Sequence, residues 1–391
     1  MTEHLRILTP PSTGTFGSPL SRRHFLGLAA AAGLLAACGD GGATGASSVQ
    51  GPSAAASKAA AELESELNIY NWAQYTEPDN IAAFSKANDV KVTQDIYDSN
   101  EGLIAKLSLA GGTSGYDLVI PSGVFIPQMV SKNLLKPLDL SKIPRLSNID
   151  KAYLDQPWDK GNKYSVCKDF GTTGIVYNPA IVTTAPKSWS DVLTMIQSDA
   201  LSGKVSILDD PLEVTAIWFW ANDIDPNTAT DADFTACQDF MTSKIAPSVK
   251  KFDAYPSEAI VAGNYALSHA YNGDARSAIL EDDTLKWVAP TPHTNLWMDN
   301  YTIPSGAKHP EAAHAFINYM LTPDVSAREV SYHGYNTGID ETKKILGEKL
   351  KQPQIIYPDE GEVDRFVPVV VNENQPKSVR VLDAMKAKAG A

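Results

Sequence analysis

Leu67-Asn68-Ile69-Tyr70-Asn71-Trp72, then Pro78 to Asn88, Val90 to Tyr97, Ser99 to Leu109 and Asp117-Leu118-Val119-Ile120-Pro121 together decide the fold class. Leu67 to Tyr70 alternates apolar and polar residues, as a strand does. Pro78 to Asn88 places Ile81, Phe84 and Ala87 at helical spacing. Val90, Val92 and Ile96 mark a second strand. Ser99-Asn100-Glu101 is a helix-opening signal, with Leu103, Ile104, Leu107 and Leu109 as the apolar stripe behind it. Asp117 to Ile120 is a short apolar strand closed by Pro121, and Val124 to Asn133 is helical again. This β-α-β-α-β order predicts an α/β domain with a largely parallel sheet, whose ligands gather at the carboxyl ends of the strands.

A second α/β run lies downstream. Gly174 to Tyr177, Val205 to Leu208 and Tyr265 to Tyr271 read as strands. Helices are expected from Ser188, over Thr215 to Asn222, over Thr235 to Ser243 and over His309 to Leu321. The last carries Ala312, Ala315, Phe316, Tyr319 and Met320 on one side.

Upstream of the folded body, Arg22-Arg23 precedes the apolar run Phe25 to Ala37, which is too short to span a bilayer. The arginine pair reads as a twin-arginine export signal. Leu35-Ala36-Ala37-Cys38 resembles a bacterial lipoprotein cleavage motif, so residues 1–37 are expected to be removed and Cys38 lipidated. Residues 38–65, rich in Gly, Ala and Ser, read as a flexible linker. The expected location is therefore the outer face of the cell membrane or the periplasm.

The chain has 391 residues and a formal net charge of −13. Glu3 is the only acid before Cys38, so the acidic excess belongs to the folded body. Such a surface repels phosphates and attracts cations, which argues against a nucleic-acid partner. Three cysteines exclude a disulfide-rich scaffold, and Cys167 and Cys237 are either one disulfide or two buried thiols. No Gly-x-Ser-x-Gly elbow, phosphate loop or His-Glu-x-x-His motif occurs, and the seven histidines are scattered singly. Neither metal nor cofactor is expected.

Acids and aromatics recur where strands end. Asp210 and Glu213 follow one strand and Asp274 another, while Asp299 follows Trp297-Met298. Trp72 and Tyr75 follow the first strand, and Tyr271 stands near Asp274. Carboxylates among aromatic faces suit an organic cation, each ring face adding roughly 0.5–2 kcal/mol when desolvated. The plainer reading of each acid is a cap on the following helix. Asp210 and Glu213 as a hydrolytic pair is the enzyme alternative, but residues three apart on one loop rarely flank a substrate.

Several segments, in order, resemble the spermidine/putrescine-binding proteins of bacterial ABC transporters. They are Leu67 to Tyr75, Tyr97-Asp98-Ser99-Asn100-Glu101, Tyr116 to Ser122, Lys187 to Asp191, Leu208-Asp209-Asp210 with Glu213, Asn272-Gly273, Trp297-Met298-Asp299 and Gly334-Tyr335. The resemblance implies a type II periplasmic binding protein: two α/β lobes, each a mostly parallel sheet flanked by helices, with the ligand in the cleft. Lobe 1 would comprise residues 66–173 and 299–365, and lobe 2 residues 174–298 and 366–391. It implies that Trp72, Tyr75, Ser122, Asp210, Glu213, Tyr271, Asp274, Trp297, Asp299 and Tyr335 line the cleft. It further implies a monomer that performs no reaction and delivers a polyamine to ABC permease subunits. Val124 stands where many relatives carry an aromatic, Tyr271 replaces a usual tryptophan, and Ala73-Gln74 replaces a polar or acidic pair. The acidic anchors are kept, so a cation is expected, while its length is left open. A sugar or a different organic cation in the same fold is the alternative.

Overall fold

A computed structural model describes residues 63–109 and 114–390. The export segment, Cys38 and the linker as far as residue 62 lie outside the described residues.

Among the described residues ten strands form the frame: β1 (Glu66–Asn71), β2 (Lys91–Ile96), β3 (Leu118–Val119), β4 (Ser165–Tyr177), β5 (Val205–Ile207), β6 (Val249–Phe252), β7 (Leu267–Tyr271), β8 (Lys286–Val288), β9 (Thr294–Thr302) and β10 (Phe366–Val367). The path is β2-β1-β3-β9-β4-β7-β5-β6, with β8 added to β4 and β10 to β9. At the two ends the pairs are parallel: β1 with β2 and β3, and β5 with β6 and β7. In the middle β4 and β9 run antiparallel, from Ser165 opposite Thr302 to Thr172 opposite Leu296. From Thr173 onward β4 changes partner and pairs with β7. Two long strands thus tie two α/β halves together, as the resemblance implied.

Local signals account for the helices. Ser99 Oγ accepts the Gly102 amide at the start of Asn100–Leu109. Ser188 with Asp191, and Thr230 with Asp233, form reciprocal capping boxes at Trp189–Ile196 and Asp231–Phe240. Pro211–Ala221 is buried on every face and apolar except for Glu213 and Thr215, as a helix inside a core with two partnered polar groups can be.

One core gathers Leu67, Ile69, Phe84, Leu118, Phe316 and Ile317. Full burial of such a side chain is worth about 1.5–3 kcal/mol. A second gathers Trp189, Val205, Ile207, Phe219, Leu267 and Leu382, and runs on into Leu103, Leu107 and Met129 of the first half. The halves therefore touch through apolar side chains as well as across the site.

Some sequence expectations are corrected. Pro78–Asn88 buries Asn80 and Phe84, while Ala87 is exposed, because the Asn80 amide binds the Pro323–His333 helix through Glu329 and the Val325 carbonyl. Leu109 is 91% exposed at the end of its helix, and Ile96 is 54% exposed on the edge strand β2. The Pro310–Met320 helix buries Ala313 and Ile317 more completely than Ala315 and Tyr319. Of the two readings for Cys167 and Cys237, the one borne out is two buried thiols. His314 is a satisfied core histidine: one ring nitrogen meets the Pro310 carbonyl, the other accepts the Asp139 amide.

Candidate functional site

The site is built where β4 and β9 cross between the halves. Their register sets Asp169 directly opposite Asp299, and Ser122 bridges to Asp299 from the turn after β3. Two carboxylates on facing positions repel, so something must bind both. That group is Tyr75, whose hydroxyl touches Asp169 Oδ1 and lies 2.7 Å from Asp299 Oδ2. Asp299 Oδ1 is buried without a hydrogen-bond partner in the protein. Burial, followed by the charge of Asp169, pushes the Asp299 carboxyl up to about 7. Ser122 Oγ accepts from Asn100 Nδ2 and the Ser122 amide donates to Asn100 Oδ1, which leaves the Ser122 hydroxyl proton facing the Asp299 carboxyl.

Aromatic rings wall the site. Trp297 stands edge-on to Tyr335, with centroids 4.8 Å apart, and to Tyr271 at 5.7 Å. Tyr335 in turn meets Tyr75 at 5.7 Å. Two glycines make this packing possible. A Cβ on Gly171 would fall 2.4 Å from the Trp297 ring, and one on Gly273 would fall 2.4 Å from the Tyr335 ring. That is the physical reason for the glycine in Asn272-Gly273. Asn272 itself is a fastener, accepting the Thr172 amide and donating to the Ile355 carbonyl. Trp72 is fixed by an Nε1 bond to the Ile120 carbonyl, 2.9 Å, and leans on Tyr97. Trp297 Nε1 is buried without a partner.

The remaining acids come from the second half. Asp210 is the N-cap of Pro211–Ala221, and its Oδ1 accepts the Leu212 and Glu213 amides. The plainer capping reading is therefore true of Asp210, with its other oxygen outside the cap. Glu213 is a clasp: Oε2 accepts from Thr173 Oγ1 at 2.8 Å and Oε1 from Asn295 Nδ2 at 2.6 Å, joining its helix to both crossing strands. Both carboxyls are pushed up, first by burial and then by neighbouring charge: Glu101 acts on Asp210, and Asp210 on Glu213. Asp274 sits in the first turn of Asn272–Glu281, faces Ser257 and leaves Oδ2 without a partner. Burial pushes Asp274 up to about 7.

Sequence reasoning missed two contributors. Lys168-Asp169 lies in the middle of a strand that is otherwise apolar or small, Ser165 to Tyr177. A charged pair inside such a run was the available signal. Tyr255 is the second: its hydroxyl faces the Ala73 amide, which brings the segment after β6 next to the loop after β1. No sequence pattern marks it.

Buried carboxyls with unpartnered oxygens, set among ring faces, attract a cation that brings its own hydrogen-bond donors. Glu213 is engaged on both oxygens and Asp210 on one, so these two are not free to flank a scissile bond from opposite sides. Among the described residues no His, Cys, Asp and Glu cluster is arranged to hold a metal ion.

The comparisons agree with this architecture. The family described as bacterial extracellular solute-binding protein matches residues 80–348. The spermidine/putrescine-binding periplasmic protein 1 of Haemophilus influenzae is 33% identical over 304 residues, covering 77% of this chain and 83% of that one. The crystal structure of the PotD substrate-binding protein of a Streptococcus pneumoniae spermidine/putrescine ABC transporter, in complex with calcium and HEPES, superposes with a TM-score of 0.69. It is 30% identical and covers 83% of this chain and all of that one. The TpPotD lipoprotein of Treponema pallidum superposes with a TM-score of 0.72 at 27% identity, again over 83% of this chain and all of that one. With its two α/β halves joined by β4 and β9 and its acids and rings gathered at the crossing, the chain belongs to the bacterial extracellular solute-binding protein family.

Proposed function

We propose that this protein binds a polyamine, spermidine or putrescine, in the cleft and delivers it to the permease of an ABC importer. The observation that carries the reading is Asp299: a buried carboxyl with one oxygen unpartnered, beside Trp297 and under Tyr75 and Tyr335. A primary ammonium supplies the missing donors and the missing charge together. Asp274, with its own unpartnered oxygen, and Asp210 provide anionic groups for the far end of a polycation. A neutral sugar would leave these carboxyls uncompensated. Names of relatives such as the Haemophilus influenzae protein support the same solute class.

The ligand residues are Trp72, Tyr75, Ser122, Asp210, Glu213, Tyr271, Asp274, Trp297, Asp299 and Tyr335. Lobe 1 is residues 66–173 with 299–365, and lobe 2 is 174–298 with 366–391. The change of partner at Thr173 on β4 supports the first boundary. A cation that contacts both lobes binds the shut form best and shifts the population toward it. Nothing is done to the ligand chemically, and the protein works as a monomer. It is exported through its twin-arginine segment and anchored by lipidated Cys38, and the Treponema pallidum relative is itself named a lipoprotein.

A calorimetric panel of putrescine, spermidine, spermine and glucose tests the reading. Binding of a polyamine and not of glucose is expected, and binding of glucose alone refutes it. X-ray scattering tests closure: an unchanged radius of gyration at saturating polyamine refutes it. Cys38→Ser is expected to release the protein from membranes. A mass spectrum of the exported protein that retains Met1 refutes the anchor.

A further inference from the structure

Asp169 is fully buried in the middle of β4 and none of the comparisons gives it a role. Both its oxygens are supplied with donors. Oδ2 accepts from the Lys168 ammonium at 2.5 Å, while His333 Nε2, 3.2 Å away, is not aligned to donate to it. His333 Nδ1 accepts the Tyr335 amide, so the proton of the neutral ring is on Nε2, which has no hydrogen-bond partner. Oδ1 takes the Tyr75 hydroxyl. Burial pushes the Asp169 carboxyl up, as it does Asp299, but only Asp169 has the Lys168 ammonium against it, and this makes it the ionised member of the facing pair.

Tyr75 has one proton, and its phenol is held in the protonated form, chiefly by burial. That proton is spent on Asp169. Yet Asp299 Oδ2 is 2.7 Å from the same phenol oxygen. Two oxygens at that separation need a proton between them, and only Asp299 can supply it.

No other group facing Asp299 offers a cation. Lys168 is engaged by Asp169 and lies 3.8 Å from both Glu329 Oε2 and the centre of the Tyr75 ring. Burial holds His333 well below the usual imidazole range. Tyr97, Tyr255, Tyr335 and the Cys167 thiol are all pushed upward by burial and stay neutral. Glu329, also pushed up by burial, and Ser122 complete the surroundings.

We propose that Asp169 is a positioning residue of the cation site: through Tyr75 it holds a proton on Asp299, and an ammonium arriving at Asp299 Oδ1 displaces that proton to solvent. The protonated Asp299 carboxyl and a ligand ammonium give an ion pair and one released proton; no covalent bond other than that O–H is broken, and the Asp299–Tyr75 hydrogen bond is given up as Asp299 Oδ2 parts from the phenol oxygen. The inference rests on the cation-binding reading for its second half only. The proton chain in the ligand-free protein stands independently of it.

The test is a carbon-13 carboxyl titration of the wild-type protein, with Asp299 assigned through Asp299→Asn. Without ligand Asp299 is expected to titrate near neutrality; a midpoint below about pH 5 overturns the proposal. Tyr75→Phe leaves the Lys168–Asp169 pair in place and gives opposite signs for the two arrangements. If Asp299 donates to Tyr75, losing the hydroxyl weakens only the protonated form, and the midpoint falls by about one unit. If Tyr75 instead donates to an ionised Asp299, the midpoint rises, and the proposal fails. Asp169→Asn is expected to lower the midpoint as well, and an unchanged value in the folded variant removes Asp169 from the chain. Putrescine titrated near pH 6 into two buffers of different ionisation enthalpy is expected to release more protons from wild type than from Tyr75→Phe. Equal release refutes displacement, whereas absence of putrescine binding in both proteins refutes the polyamine reading and leaves the ligand-free titration to decide the rest.

Discussion

Replacing Asp299 by asparagine keeps the side-chain shape and the bond to Tyr75 but removes the charge at the unpartnered oxygen. A hydrogen bond to a charged group is worth about 1.5–3 kcal/mol, so at about pH 8, where Asp299 is ionised, polyamine binding should weaken about 10- to 150-fold. The ratio should depend on pH. Burial raises the Asp299 carboxyl to about 7, so one unit below that value roughly one molecule in eleven is ionised. Wild-type affinity then loses about tenfold from this group, while the asparagine variant has nothing to titrate. The penalty should shrink by about one decade between pH 8 and pH 6. Asp210, Glu213 and Asp274 are present in both proteins, so their titrations cancel in the ratio. Isothermal titration calorimetry of wild type and Asp299→Asn at both values decides the matter. Equal affinities at pH 8, or a ratio that does not change with pH, would refute the reasoning.

Tyr255→Phe removes the hydroxyl that faces the Ala73 amide across the halves; a bond formed there on closure is worth about 1 kcal/mol, so polyamine affinity should fall about fivefold, and an unchanged Kd denies Tyr255 a part in closure. Gly273→Ala places a methyl 2.3 Å from the His333 carbonyl and should destabilise by about 1–3 kcal/mol in urea unfolding, with no loss refuting the close approach. Lys168→Met leaves Asp169 and Glu329 buried without their cation, which should cost about 3–5 kcal/mol, and adding Asp169→Leu should recover part of it; a double variant no more stable than the single one argues against the pair. Asp274, Asp299 and Glu329 are all pushed up to about 7, so without ligand the folded protein holds more protons than the unfolded chain over the range below that value. Their contribution is fully present below the ordinary carboxylate range and is lost as pH rises through about 7, so the ligand-free Tm should be higher near pH 5.5 than near pH 8. A Tm that rises steadily over that interval contradicts the burial of these groups as acids.

Local patterns carried the β-α-β-α-β order because each signal involves neighbours in the chain. The alternation in Leu67 to Tyr70 and the Ser188–Asp191 capping box depend on residues a few positions apart. The sequence also located the acids and rings at strand ends, since a strand's end is where an α/β sheet opens its ligand crevice. It did not separate roles among them. Asp210 as a cap, Glu213 as a clasp on Thr173 and Asn295, and Asp299 with a spare oxygen differ only in partners far away in sequence. The full length of β4 was hidden for the same reason. Lys168-Asp169 interrupts an apolar run and looks like a strand break until Glu329, His333 and Tyr75, each distant in the chain, compensate the charges. Asn80 and Ala87 exchanged places for a like cause, because Glu329 gave the buried amide a partner. Sequence alone determined the elements and the class of the pocket, through short-range preferences and composition. Tertiary structure alone decided which buried polar groups are satisfied and which oxygen is left for a ligand, because in a low-dielectric interior a charge is set by whatever the fold brings within hydrogen-bond reach.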